Sequence, residues 1–87
     1  MKSDLESLRK QIDIIDNTLL QLLHERISVM KAVGQAKKEL HLLIRDEQRE
    51  KEKLADIEQK AKKLEIPNYL VINMWKLFFE VSEDVEK

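Results

Sequence analysis

The fold is decided by residues 5–40, LESLRKQIDIIDNTLLQLLHERISVMKAVGQAKKEL, in which apolar residues recur at alternating spacings of three and four. This spacing places them on one face of a continuous α-helix. The apolar positions are Leu5, Leu8, Ile12, Ile15, Leu19, Leu22, Val29, Val33, Ala36 and Leu40. We therefore expect a first helix from about residue 4 to residue 40, with Ser3 or Asp4 as its N-cap.

Two cations lie on this apolar face. Arg26 occupies a position of the repeating pattern, and Lys37 projects within about 20° of it around the helix axis. A charge removed from water is costly unless it is matched, so we expect carboxylates of the protein or of a ligand nearby. Two simpler interpretations remain open. Arg26 can pair with Glu25 or with an acidic residue of another chain, and Lys37 can extend its ammonium group to water.

The composition predicts an all-α protein. One glycine, one proline and 38% charged residues are typical of helical chains, and strand-like alternation is not seen. We expect residues 1–87 to form a single domain whose core is too small to be very stable alone. The first helix would span roughly 55 Å, more than such a domain can cover. Part of its apolar face should therefore pack against a second copy of the chain.

Charge and residue usage exclude several function classes. Sixteen basic and 17 acidic residues nearly cancel, which predicts no binding to nucleic acid or to anionic membranes. We find no transmembrane run and no secretory signal, so we expect a cytoplasmic protein. With no cysteine and two histidines, thiol chemistry and a metal site are not expected. Reactions that need only shape and fixed charge, such as a unimolecular rearrangement or elimination, remain possible.

Two further helices are expected, at about residues 46–64 and 68–86, with a break at Pro67. Leu54, Ile57, Ala61 and Leu64 form the apolar face of the second helix. Extended backward, this face reaches Glu50, a candidate counter-charge for the cations of the first helix. In the third helix, Ser82 and Glu86 continue an apolar face. Gly34 either permits close approach of another helix or gives a ligand access to the backbone.

Convergent cations in a dry cavity favour a ligand with two carboxylates, because guanidinium groups bind carboxylates through paired hydrogen bonds. Arg9 is off the apolar face and alone would be interpreted as solvated. Along a straight helix it lies about 42 Å from Lys37. If both residues serve one site, two chains must build that site.

Three sequence blocks resemble the all-helical class of chorismate mutase: RKQIDIIDNTLLQLLHER at 9–26, VGQAK at 33–37 and RDEQRE at 45–50. The resemblance covers almost the whole chain. It implies an intertwined homodimer of three-helix chains, each with one long and two shorter helices. It also implies that the protein rearranges chorismate to prephenate in phenylalanine and tyrosine biosynthesis, without a cofactor.

The resemblance also implies roles for individual residues. Arg9 from the neighbouring subunit, Arg26 and Lys37 hold the two carboxylates, and Lys37 also donates to the ether oxygen. Glu50 binds the ring hydroxyl beside Arg49. The substrate-binding residues implied are Arg9, Arg26, Lys37, Asp46, Arg49, Glu50, Ser82 and Glu86, of which Lys37, Glu86 and Arg26 are catalytic.

Two positions depart from the commonest bacterial pattern. Glu86 stands where many members carry a glutamine that donates to the ether oxygen, although some members have glutamate there. A carboxyl group donates only when protonated. Leu43 stands where a proline is frequent.

Two other functions are compatible with the same scaffold. One is a lyase that cleaves isochorismate to salicylate and pyruvate, which Glu50 disfavours because a hydroxyl-binding glutamate suits mutases better. The other is a non-catalytic helical dimerisation or regulatory module, which would have no reason to keep Arg26 and Lys37 in a cavity.

Overall fold

The computed structural model describes residues 2–87, with side chains from residue 4 onward. It contains three helices, α1 (Lys2–Glu39), α2 (Glu47–Lys63) and α3 (Asn68–Glu86). No strand occurs within residues 2–87. The predicted all-α class and the order of one long and two shorter helices are therefore confirmed.

The boundaries of α1 differ slightly from those predicted. The helix begins at Lys2, so Asp4 lies in its first turn and is not the N-cap, while the side chain of Ser3 lies outside the described residues. At the other end, His41 adopts a φ of 58°, and the Leu42 N–H donates to the Lys37 carbonyl over 2.8 Å. A left-handed residue just past the helix, with the next N–H donating to a carbonyl of the last turn, is typical of a helix C-terminus. They end α1 at Glu39, one residue early.

The start and the end of α2 follow from local hydrogen bonds. Asp46 is the N-cap, and its Oδ1 accepts from the Arg49 N–H over 3.0 Å. After Lys63, Glu65 takes a φ of 58° and the Ile66 N–H donates to the Ala61 carbonyl over 2.9 Å. The predicted apolar face was wrong at its last position, since Leu64 is the C-cap and is 70% exposed.

The tertiary packing of the chain is centred on α3. It packs against both α1 and α2, whereas α1 and α2 make no comparable contact within the described residues. The apolar core between α2 and α3 consists of Ile57, Ala61 and Val71, with Trp75 packed against it. On α1, Met30 is the buried apolar side chain. These contacts fix the carboxyl-terminal half of α1 against the end of α3.

At Gly34, α1 and α3 approach each other closely. A Cβ atom placed on Gly34 would lie 2.8 Å from the Glu86 Cα and 2.9 Å from its Cγ. Real Cβ atoms do not approach a backbone carbon that closely, so α3 could not take this position beside a larger residue. Of the two interpretations left open by the sequence, the structure supports close helix approach.

The molecule measures 58 × 25 × 15 Å, so its long axis is about the length of α1 itself. Neither α2 nor α3 covers the amino-terminal part of α1. Its apolar side chains there are 48–59% exposed, namely Leu5, Leu8, Ile12, Ile15, Leu19 and Leu22. No helix of residues 2–87 combines the length and the apolar character needed to cross a lipid bilayer.

Candidate active site

A cavity of about 570 Å³ lies between the carboxyl-terminal half of α1, the start of α2 and the end of α3. This volume is in the range of small-molecule binding sites. All of the predicted site residues except Arg9 line it: Arg26, Lys37, Asp46, Arg49, Glu50, Ser82 and Glu86. Three distant segments of sequence are therefore brought together in one place.

Lys37 and Glu86 form an ion pair on the cavity wall. The Lys37 Nζ lies 2.6 Å from Glu86 Oε1 and donates to the Ile44 carbonyl over 2.5 Å. Glu86 is only 3% exposed, and its other oxygen, Oε2, accepts a hydrogen bond from the Ser82 hydroxyl. The counter-charge of Lys37 is thus Glu86, and our expectation that Glu50 would supply it was wrong.

Arg26 is held by an aromatic ring. Its guanidinium carbon lies 4.3 Å from the centre of the Phe78 ring, close enough for a cation–π interaction. Trp75 packs edge-on against Phe78, with ring centres 5.1 Å apart, and so fixes that ring. Among the side chains of residues 4–87, no carboxylate lies within 4.0 Å of the guanidinium, so the pairing with Glu25 is not found. Burial lowers the pKa of Arg26 from its ordinary value.

Glu50 is paired with a residue that the sequence did not single out. Arg45 lies in the connection before α2, and its Nη2 donates to Glu50 Oε1 over 3.1 Å. Its Nη1 lies 3.9 Å from Glu83 Oε2 on α3. The hydrogen bond with Glu50 and the charge of Glu50 raise the pKa of Arg45. Arg45 therefore links α2 to α3 beside the cavity.

Lys53 was also missed by the sequence interpretation, although it lines the cavity. A signal for it existed, because Lys53 is one helical turn after Arg49 and one turn before the buried Ile57. Arg9, by contrast, is exposed on α1 and does not line the cavity of its own chain.

The charges on the cavity wall are balanced in number. The wall carries four cationic side chains and four acidic ones, namely Arg26, Lys37, Arg49 and Lys53, and Asp46, Glu50, Glu83 and Glu86. Val29, Met30, Val33, Phe78 and Phe79 supply apolar surface between them. Residues 4–87 contain no group of three or more histidine, aspartate or glutamate side chains that could hold a metal ion. The arrangement is suited to orienting a small polar molecule through fixed charges and shape.

The fold and the cavity together define a class, that of all-helical proteins with a site of fixed charges for a small polar molecule. Residues 8–87 match the family described as chorismate mutase type II. The chain therefore belongs to the chorismate mutase type II family.

Similar proteins agree with this family. The chain is 32% identical over 87 residues to a chorismate mutase of Methanocaldococcus jannaschii, covering 100% of this chain and 88% of that protein. It is 37% identical over 71 residues to a T-protein of Enterobacter agglomerans, covering 82% of this chain and 19% of that protein. A solved structure of a conserved hypothetical protein from Pyrococcus furiosus superposes with a TM-score of 0.72 at 37% identity, covering 95% of both chains.

Proposed function

We propose that this chain rearranges chorismate to prephenate by the intramolecular Claisen-type reaction, the activity that its family name describes. The C–O bond of the ether breaks while a C–C bond forms within the same molecule, so no atom is gained or lost. The observation that carries the proposal is the cavity itself. Residues that the resemblance assigns to substrate binding, from all three helices, line one space of suitable size.

We assign the binding of the substrate's two carboxylates to Arg26, Lys37 and Arg9 of the partner subunit. Arg26 is suited to this role because its guanidinium is partly desolvated and faces no carboxylate among residues 4–87. A ligand carboxylate would satisfy its free donors. Ser82, within the same cavity, would lie near one of these carboxylates.

Lys37 and Glu86 are placed to stabilise the transition state. As the C–O bond breaks, negative charge develops on the ether oxygen, and donors fixed beside that oxygen lower the barrier. Lys37 is such a donor, and Glu86 becomes one when it is protonated. Glu50 would bind the ring hydroxyl, while Asp46 fixes Arg49 at the start of α2 through its hydrogen bond to the Arg49 N–H. Together these contacts select the compact conformer in which the reacting carbons meet.

The proposal includes a homodimer with two equivalent sites. It is supported by the exposure of the apolar side chains between Leu5 and Leu22, which a second chain would cover. It is also supported by the position of Arg9, which lies on α1 away from the cavity of its own chain. Location in the cytoplasm and the extent of the domain, residues 1–87, stay predictions.

A direct assay tests the proposed function. Purified protein should convert chorismate to prephenate, which is monitored through the loss of chorismate absorbance. It should release no pyruvate from isochorismate. The Arg26→Ala variant should lose at least about 100-fold in kcat/KM, because a charged hydrogen-bonding anchor is removed. Turnover of isochorismate with none of chorismate would favour the lyase. Turnover of neither substrate by folded protein would favour the non-catalytic module.

A further inference from the structure

Lys53 lies on the inward face of α2. Steps of four residues lead from Arg49 through Lys53 to Ile57 and Ala61, and both of these apolar side chains are buried. Residues spaced in this way share one side of a helix. Lys53 is therefore a cation at a position where the helical pattern calls for an apolar side chain.

The side chain of Lys53 lines the same cavity as Arg26 and Arg49 and is partly buried. No carboxylate lies within 4.0 Å of its ammonium group among the side chains of residues 4–87. Asp56, one turn along α2, instead pairs with Lys60 over 2.8 Å. The pKa of Asp56 is lowered first by its hydrogen bond with Lys60, and the charge of Lys53 contributes less. Lys53 is thus not held by a partner on its own helix.

The ion pairs on the cavity wall leave the ammonium group of Lys53 available to bind a ligand. Lys37 is already matched by Glu86, and Glu50 is already matched by Arg45. Arg26, Arg49 and Lys53 remain as the cavity-lining cations without an ion pair among residues 4–87. Arg49 and Lys53 are one turn apart, a spacing at which like charges repel. An anion between the helices would relieve that repulsion.

We propose that Lys53 is a further substrate-binding residue, whose ammonium group binds a carboxylate of the substrate dianion from the α2 side of the cavity. This inference rests on the proposed function. Because the contact would be made in both the bound substrate and the transition state, Lys53 should contribute chiefly to affinity. It is a binding residue rather than one that acts on the ether oxygen.

The Lys53→Met variant tests this inference, since methionine keeps the length and helix preference of lysine without its charge. We expect KM for chorismate to rise about tenfold, as for the loss of one charge-assisted hydrogen bond, with kcat nearly unchanged. The Kd of a stable bicyclic dicarboxylate mimic of the transition state, measured by calorimetry, should rise in parallel. Lys53→Arg should restore most of the affinity.

Lys51→Met is the matched control. Lys51 is exposed on the same helix, two residues earlier, and does not line this cavity. Its replacement should leave both KM and Kd unchanged, with circular dichroism used to check helix content in every variant. Wild-type turnover with equal constants for Lys53→Met and Lys51→Met would overturn the role of Lys53 alone. Absence of wild-type turnover would instead defeat the proposed function.

Discussion

The ion pair between Lys37 and Glu86 is the contact in the cavity on which the proposed reaction depends most. Glu86 is buried, with its Oε1 2.6 Å from the Lys37 Nζ and its Oε2 accepting a hydrogen bond from the Ser82 hydroxyl. In the proposed reaction, however, Glu86 would have to carry a proton to donate to the ether oxygen. An amide at this position, which donates without an added proton, should therefore serve the reaction at least as well.

The Glu86→Gln variant tests that role. We expect Glu86→Gln to keep or raise kcat/KM relative to the wild type, because the glutamine amide always carries N–H donors for the ether oxygen. Initial rates of the two proteins, measured under identical buffer conditions, provide the comparison.

Glu83→Gln is the control for this measurement. Glu83 also lines the cavity, but it is partly exposed and lies beside Arg45 rather than Lys37. Its replacement should leave kcat/KM unchanged. A Glu86→Gln variant that folds but loses most of its activity would contradict the donor role assigned to residue 86.

At the residue scale, the sequence identified the cavity-lining residues better than their partners. Arg26 and Lys37 were detectable because each interrupts a regular apolar pattern. The partner of Glu50 was not detectable, because Arg45 lies in the connection before α2, where no periodicity fixes the direction of a side chain. Lys53 lies on the inward row of α2 but was hidden among the many charged residues of that helix.

At the scale of the helices, the contact between Gly34 and Glu86 determines where a candidate catalytic side chain lies. Because Gly34 has no side chain, the end of α3 packs directly against α1. This close approach places Glu86 next to Lys37, three residues further along α1. The single glycine of the chain therefore serves the site by setting the distance between two helices.

We predict that Gly34→Ala reduces both stability and activity. The new methyl group would lie 2.8 Å from the Glu86 Cα, so the end of α3 would have to move away. Overpacking of this kind destabilises a protein by about 1–3 kcal/mol, which is more than the stabilisation that the higher helix propensity of alanine provides. Urea unfolding should show the lower free energy, and kcat should fall because Glu86 moves with α3. Gln35→Ala, at the exposed neighbouring position, should change neither quantity, and equal behaviour of the two variants would refute this account.

The helices themselves were largely predictable, and their ends were less so. Pro67 and Asp46 mark boundaries that depend on one residue, and both predictions match the structure to within a residue. Leu64 was misplaced because an apolar residue that continues the spacing looks helical, although Glu65 has already left the helical conformation. The ends of α1 and α2 depend on backbone hydrogen bonds that leave no clear pattern in the sequence.

At the scale of the whole molecule, one chain leaves its longest helix half covered. The amino-terminal part of α1 presents a continuous apolar face, and Arg9 lies within the same stretch. Such a face is typical of a surface that packs against another chain. The sequence predicted the excess length of α1, because a helix of this size exceeds the reach of a small domain. A second chain that brings its own Arg9 to the cavity is the central claim of the proposed function.

Mixing two inactive variants tests that claim most directly. Arg9→Ala and Arg26→Ala should each be nearly inactive alone. After joint unfolding and refolding at equal amounts, hybrid dimers should contain one site with both arginines intact. Random pairing makes half of the dimers hybrid, so we predict recovery of about a quarter of the wild-type activity. No recovery from a folded mixture, or full activity of Arg9→Ala alone, would contradict a site shared between two chains.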